Sequence, residues 1–185
     1  MKNNIIGRKS EQDTLAHIFE SRQSEFVAVC GRRRVGKTFL VREYFEQEMV
    51  FQTSGLAGGN TQEQLKNFFY TLRRYDRNVT SVPHDWIDAF EMLITYLDSL
   101  NGIERKVVFL DELPWMDTAG SNFISALEHF WNGWASARRD IVLIVCGSAT
   151  SWMMDKLINN HGGLYGRLTH RLFLQPFSLG SRKLS

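Results

Sequence analysis

The chain has 185 residues, 43% of them apolar and 23% charged, with a formal net charge of +2. That length suits one domain, and so small a net charge gives no overall electrostatic case for nucleic acid as a partner. No apolar run approaches the about 20 residues that cross a bilayer, so no spanning helix is expected.

In chain order, the opening Met1-Lys2-Asn3-Asn4-Ile5-Ile6 lacks the apolar stretch of a secretory signal, and a cytoplasmic location is the default expectation. Residues 10–20 suit a helix, with Ser10 capping its first turn and Leu15, Ile18 and Phe19 on one face. Residues 25–30 form a short continuous apolar run, the pattern of a strand buried on both faces of a parallel sheet. Gly31-Arg32-Arg33-Arg34-Val35-Gly36-Lys37-Thr38 follows, and a helix is expected from about Lys37 to Glu46. Met49 to Thr53 reads as the next strand and residues 54–60 as a loop. Thr61 and Gln64 match a capping box, after which Leu65, Phe68, Phe69 and Leu72 recur at helical spacing. A second amphipathic stretch carries Trp86, Phe90, Leu93, Ile94 and Leu97.

Lys106 to Leu110 is another apolar strand, closed by Asp111 and Glu112. Phe123, Ile124, Leu127, Phe130, Trp131 and Trp134 mark a long helix whose aromatic face is better read as core than as a cofactor box. Ile141 to Cys146 is the most hydrophobic strand and leads into Gly147-Ser148. A short helix near Ser151 to Ile158, a loop at 159–163 and a last strand near Arg171 to Leu174 complete the pattern. Strands as apolar runs alternating with helices imply an α/β fold with a parallel sheet. The two cysteines, Cys30 and Cys146, each end a strand and read as small core residues of a reducing compartment, not as a disulfide or metal pair.

Residues 31–38 are a complete G-x-x-x-x-G-K-[ST] loop between an expected strand and an expected helix. The glycines allow a tight curl that turns several N–H groups inward. Lys37 can reach β- and γ-phosphates, Thr38 offers a hydroxyl to Mg²⁺, and the helix running on through Phe39 points its positive end at the phosphates. Ligands of parallel sheets bind beyond the carboxyl ends of the strands, so Asp111 and Glu112 should lie beside this loop. Asp111 suits Mg²⁺ and Glu112 suits polarising an attacking water. Ser148 serves equally well as a contact for the γ-phosphate or lytic water and as a cap for the next helix. Arg167 could neutralise charge on a transferring phosphoryl group, although spacing alone favours a surface arginine in a loop. The clusters Arg73, Arg74, Arg77 and Arg167, Arg171 read as solvated faces.

The run Gly31 to Thr38 with its three arginines, Leu110-Asp111-Glu112 followed by Pro114-Trp115, Gly147-Ser148, Leu164-Tyr165-Gly166-Arg167 and Gln175-Pro176-Phe177 together resemble the archaeal and bacterial ATPase family. These are AAA-type P-loop proteins related to STAND NTPases and to Orc/Cdc6-like ATPases. Ile6-Gly7-Arg8-Lys9-Ser10-Glu11 resembles the G-R-x-x-E entry segment of that group.

The resemblance implies a three-layer sandwich with a five-stranded parallel sheet of order 5-1-4-3-2. It implies ATP and Mg²⁺ as cofactors, bound by residues 31–38 with Gly31, Arg32, Arg33, Arg34, Val35, Gly36, Lys37 and Thr38 against the phosphates. Asp111 would hold Mg²⁺ with Thr38, Glu112 would activate water, Ser148 would match the sensor position, Arg167 would match the arginine finger, and Ile6 and Gly7 would approach the base. The expected division is an ATP-binding core over 1–178 and a short tail over 179–185, too short for the family's helical lid. Two activities stay open: hydrolysis of ATP, with an arginine supplied in cis or by a second copy or protein partner, and a nucleotide-dependent switch with little turnover. A small-molecule kinase fits less well, because no arginine-rich acceptor lid is seen. Nucleic acid enters only by analogy with the Orc/Cdc6-like relatives.

Overall fold

The computed structural model describes residues 5–148, 150–159 and 161–177, so the expected tail at 179–185 lies outside the described residues. Helix α1 (Lys9–Glu20) precedes strand β1 (Glu25–Cys30), and α2 (Lys37–Tyr44) follows the glycine-bounded loop. Then come β2 (Met49–Ser54), α3 (Thr61–Tyr75), α4 (Trp86–Ser99), β3 (Lys106–Asp111), a single turn α5 (Leu113–Met116) and α6 (Phe123–Gly133). Strand β4 (Ile141–Gly147), a short α7 (Thr150–Met153) that widens into a π turn (Met154–Ile158), and β5 (His170–Phe173) complete the fold.

The five strands pair in parallel in the order β2-β3-β4-β1-β5, which is the expected 5-1-4-3-2 sheet read from the other edge. Side chains of a strand alternate between faces, and both faces here meet helices. In β1, Phe26, Ala28 and Cys30 join the aromatic core formed with α3, α4, α6 and α7. Val27 and Val29 point into the opposite core, with Leu15 and Ile18 of α1 and Leu40 and Val41 of α2. Strand β4 divides the same way, Ile141, Leu143 and Val145 against Val142, Ile144 and Cys146. This double burial is why the strands read as unbroken apolar runs. Edge strand β2 has free carbonyls on its outer side, and the helices cover them: Tyr96 Oη donates to Val50 O (2.8 Å) and Asn67 Nδ2 to Ser54 O (2.7 Å).

Three local expectations need correction. Helix α1 starts one residue earlier, with Arg8 at the N-cap in the left-handed region (φ 54°), so Ser10 lies inside the first turn and caps nothing. The capping box of α3 is Asn60 with Glu63, not Thr61 with Gln64. Gln64 is turned inward instead, where its amide bonds Leu56 N, Leu56 O and Gly59 O and so closes the preceding loop. The turn α5 after β3 was not anticipated, because four residues carry no helical periodicity; Pro114 sits in its first turn, where its missing N–H costs nothing.

At the amino ends of the strands, charges are matched. Lys106, 5% exposed at the head of β3, donates to Asp140 Oδ2 at 2.6 Å. Arg138 grips both oxygens of the same carboxylate (2.8 Å each), pairs with Asp98 and lies over the Trp134 ring. Arg105 ties three segments, bonding the carbonyls of Gln23, Arg139 and Ile18. Among the described residues, no helix is long and apolar enough to cross a membrane.

The hydrogen bonds from Arg138 and then Lys106 hold the Asp140 carboxyl well below its ordinary value of 3.8. A depressed carboxylate contributes stability above its unfolded value that is lost as pH falls through the folded one. Asp140→Asn should therefore lose about 1–3 kcal/mol of unfolding free energy between about pH 5 and 8. The gap to wild type should begin to narrow only below about pH 4 and close toward the acid extreme, as pH falls through the folded value. Urea titrations of both proteins across this range read it; a gap that persists unchanged at low pH would refute the assignment.

Candidate nucleotide site

Strand β1 ends at Cys30, and the chain must reverse into α2 within six residues. Gly31 (φ 149°) makes the first bend under the chain leaving β5: a Cβ there would stand 2.6 Å from Leu174 O, so no other residue fits. Arg34 (φ 64°) and Gly36 (φ 90°) supply two left-handed steps, and α2 begins at Lys37. The buried Val35 side chain anchors the loop in the core. Lys37 is only 6% exposed, and its ammonium donates to Gly31 O and Arg32 O at 2.8 Å each. The lysine thus braces the curl from inside while remaining next to the space above it.

The strand registers bring the acids to this loop. Leu110, Val145 and Ala28 lie level across β3, β4 and β1, so Asp111 is level with Val29, two residues before the loop begins at Gly31. Asp111 is 7% exposed, and both its oxygens are used. Oδ2 accepts from Thr38 Oγ1 at 2.7 Å, and Oδ1 accepts from the Glu112 N–H at 2.8 Å. That second bond turns the chain, and Glu112 takes a left-handed conformation (φ 48°) before α5. Ser148, just past β4, donates to Glu112 Oε2 at 3.4 Å. The open cleft above, about 740 Å³, is lined by Arg33, Arg34, Gly36, Lys37, Thr38, Phe39 and Glu112.

Both cysteines lie under the site, and burial pushes both thiols up, Cys30 to about 11 and Cys146 well above its usual value. Neither supplies a thiolate nucleophile at neutral pH. Among the described residues no three His, Cys, Asp or Glu side chains cluster as a self-sufficient metal site.

The expected residues therefore divide. Gly36, Lys37, Thr38, Phe39, Asp111, Glu112 and Ser148 come together, with Arg33 and Arg34 on the cleft wall. Gly31, Arg32 and Val35 act through backbone: the first two accept from Lys37, and Val35 O accepts from Arg8. Arg167 lies outside the cleft lining, exposed in the turn after Gly166 (φ 66°), and its guanidinium makes no hydrogen bond or ion pair among the described residues. Ile6 is 91% exposed, and Gly7 (φ 74°) packs near Phe177, whose ring carbon would stand 3.3 Å from an added Cβ.

One residue was missed. Arg8 Nη2 donates to Val35 O in the loop (2.9 Å) and to Gln175 O beyond β5 (2.7 Å). Its Nη1 pairs with Glu11 at 3.1 Å, and the guanidinium lies 4.4 Å from the Phe177 ring centre. Arg8 thus ties the entry segment, the phosphate loop and the chain leaving the sheet into one corner. The signal available in the sequence was the Arg8/Glu11 spacing, which places the two on one side of a helix start.

The comparisons with known proteins bear on the family and the fold. The model of the AAA domain family matches residues 23–181. An uncharacterized protein of Methanocaldococcus jannaschii is 26% identical over 172 residues, 93% of this chain and 36% of that protein. Among solved structures, the Walker-type ATPase of Pyrococcus abyssi superposes with a TM-score of 0.70 at 19% identity, covering 96% of this chain and 56% of its own. The Aeropyrum pernix ORC2 protein gives 0.61 at 19% identity, covering 93% of this chain and 48% of its own. The chain thus spans from about a third to just over half the length of these relatives. With the family model matched over most of its length and the five-stranded sheet in the order those relatives share, the chain belongs to the AAA domain family and has the fold of an AAA-type P-loop ATPase.

Proposed function

We propose that the cleft binds ATP with Mg²⁺ and hydrolyses the β–γ bond with a water polarised by Glu112. The observation that carries this is the 2.7 Å contact of Thr38 with Asp111 directly beside Lys37, with Glu112 on the facing wall. The loop amides and the end of α2 receive the phosphates. The Lys37 ammonium, now on Gly31 O and Arg32 O, exchanges those carbonyls for phosphate oxygens.

A hydroxyl and a carboxylate oxygen in contact fit a hard cation that keeps waters and takes its remaining ligands from phosphates. Thr38 and Asp111 would hold Mg²⁺, which would supply positive charge against the phosphates. Glu112 orients the attacking water and takes its proton. The Ser148 hydroxyl on Glu112 Oε2 fixes which oxygen is free to do so. Arg8 acts indirectly, by holding the Val35 carbonyl and with it the curl of the loop.

A second reading, a nucleotide-dependent switch, is favoured by the position of Arg167 outside the cleft lining. On that reading turnover waits for a second copy or a protein partner to present Arg167 or an equivalent cation, and ATP binding alone is the resting activity.

Three outcomes test the proposal. Glu112→Gln should lower phosphate release at least about 100-fold while ATP affinity changes little. Undiminished release in that variant removes Glu112 from the reaction. Wild type should show an ATP-dependent rise in melting temperature in Mg²⁺, and Lys37→Ala should abolish it. A rise of equal size would place the nucleotide elsewhere. Arg8→Ala should cost about 1–3 kcal/mol of stability and weaken ATP binding together, because the part-buried Val35 carbonyl of the loop and the Gln175 carbonyl beyond β5 lose their charged donor. Calorimetry on the same sample reads both, and an unchanged affinity would confine Arg8 to the fold.

A further inference from the structure

The phosphate-loop pattern demands only Gly31, Gly36, Lys37 and Thr38, yet three of the four intervening residues are arginines. Arg8, Arg105 and Arg138 each make several hydrogen bonds to carbonyls or carboxylates of the fold itself. Arg33 and Arg34 differ. Both line the cleft, and among the described residues neither guanidinium has a hydrogen bond or an ion pair. Among the described residues the cleft wall presents one acid against them, Glu112, while Asp111 is already engaged by Thr38.

The backbone adds an independent observation. Arg34 holds φ at 64°, a conformation glycine adopts freely and a branched-out L-residue resists. A glycine would complete the curl more easily, so the loop keeps a charged residue at a strained position on the cleft lining. The Lys37 ammonium is buried and serves the floor of the loop. Positive charge at the mouth of the cleft is left to the two arginines.

We propose that Arg33 and Arg34 recognise the terminal phosphate from within the same chain and make the site selective for nucleoside triphosphates over diphosphates. This rests on the nucleotide-binding reading given above. The chemistry favours it: a guanidinium offers a planar fork of donors that matches two oxygens of a phosphoryl group, and its charge is permanent. A triphosphate extends one phosphoryl group further than a diphosphate, and on the proposed reading it is that group which meets the two guanidiniums. A diphosphate is satisfied by the loop amides and Lys37 alone.

Arg34→Gly is the decisive variant, because it removes the guanidinium and relieves the left-handed strain at once. In a Glu112→Gln background that suppresses turnover, affinities for ATP and ADP are measured by calorimetry with Mg²⁺, alongside urea unfolding. The expected result is an unfolding midpoint equal to or above that of the parent, an ATP affinity at least about tenfold lower, and an ADP affinity within about threefold of the parent. Arg33→Ala should shift the same ratio, and the double variant should lose most of the preference for ATP. Equal weakening of both nucleotides would mean general attraction of anions and would overturn the inference, as would an unchanged ATP-to-ADP ratio in the double variant. A parent that binds neither nucleotide overturns the ATP-binding reading itself, and this inference with it.

Discussion

The contact between Thr38 and Asp111 holds the site together because it bridges a gap that the sheet itself cannot close. Asp111 ends β3 and the loop leaves β1, and β4 lies between them. Neighbouring strands are about 4.8 Å apart, so the two backbones stand about 10 Å from one another. One short hydroxyl from the first turn of α2 and one short carboxylate span that distance, meeting at 2.7 Å. The strand between must not rise into the gap. At its end a side chain on Gly147 would meet Pro114 Cδ at 2.8 Å and Met153 Sδ at 2.9 Å, so that position stays bare. The loop, the acid pair, the turn α5 and the start of α7 are all placed by this arrangement.

Charge follows the same geometry. The amino ends of the strands carry cations that are fully matched, Lys106 and Arg138 by Asp140, Arg105 by three carbonyls. The carboxyl ends collect cations that are not: among the described residues Arg33 and Arg34 line the open cleft without a side-chain partner, and Lys37 is held by the carbonyls of its own loop. An interior lysine bonded to neutral carbonyls keeps its charge available to an incoming anion, whereas one paired with a carboxylate would have to break an ion pair first. One end of the sheet is built for cohesion and the other for a polyanion.

Much of this was legible in the chain because burial leaves a direct record in composition. Strands enclosed on both faces must be apolar throughout, so β1, β3 and β4 could be located to within a residue. The loop motif is local, and its glycines, lysine and threonine act on one another within eight positions. What could not be read had other causes. The start of α1 and the capping box of α3 depended on which of several neighbouring polar residues pointed inward, and Gln64 left the expected box because the preceding loop offered it a buried role. The role of Arg8 depended on carbonyls 27 and 167 residues away, so the local Arg8/Glu11 spacing could mark the residue but not what it holds.

The sequence by itself determined the layered α/β architecture, the curl of the phosphate loop and the types of group that meet there, since each follows from side-chain polarity and backbone freedom over short stretches. Only the tertiary structure decided which groups share the cleft. Strand order and register bring Asp111, Glu112 and Ser148 to the loop from positions 73 to 111 residues beyond Thr38–Lys37, and leave Arg167 outside the lining. Proximity of that kind arises from the right-handed crossovers of a parallel sheet, in which residues far apart in the chain end at one edge, and no spacing along the chain encodes it.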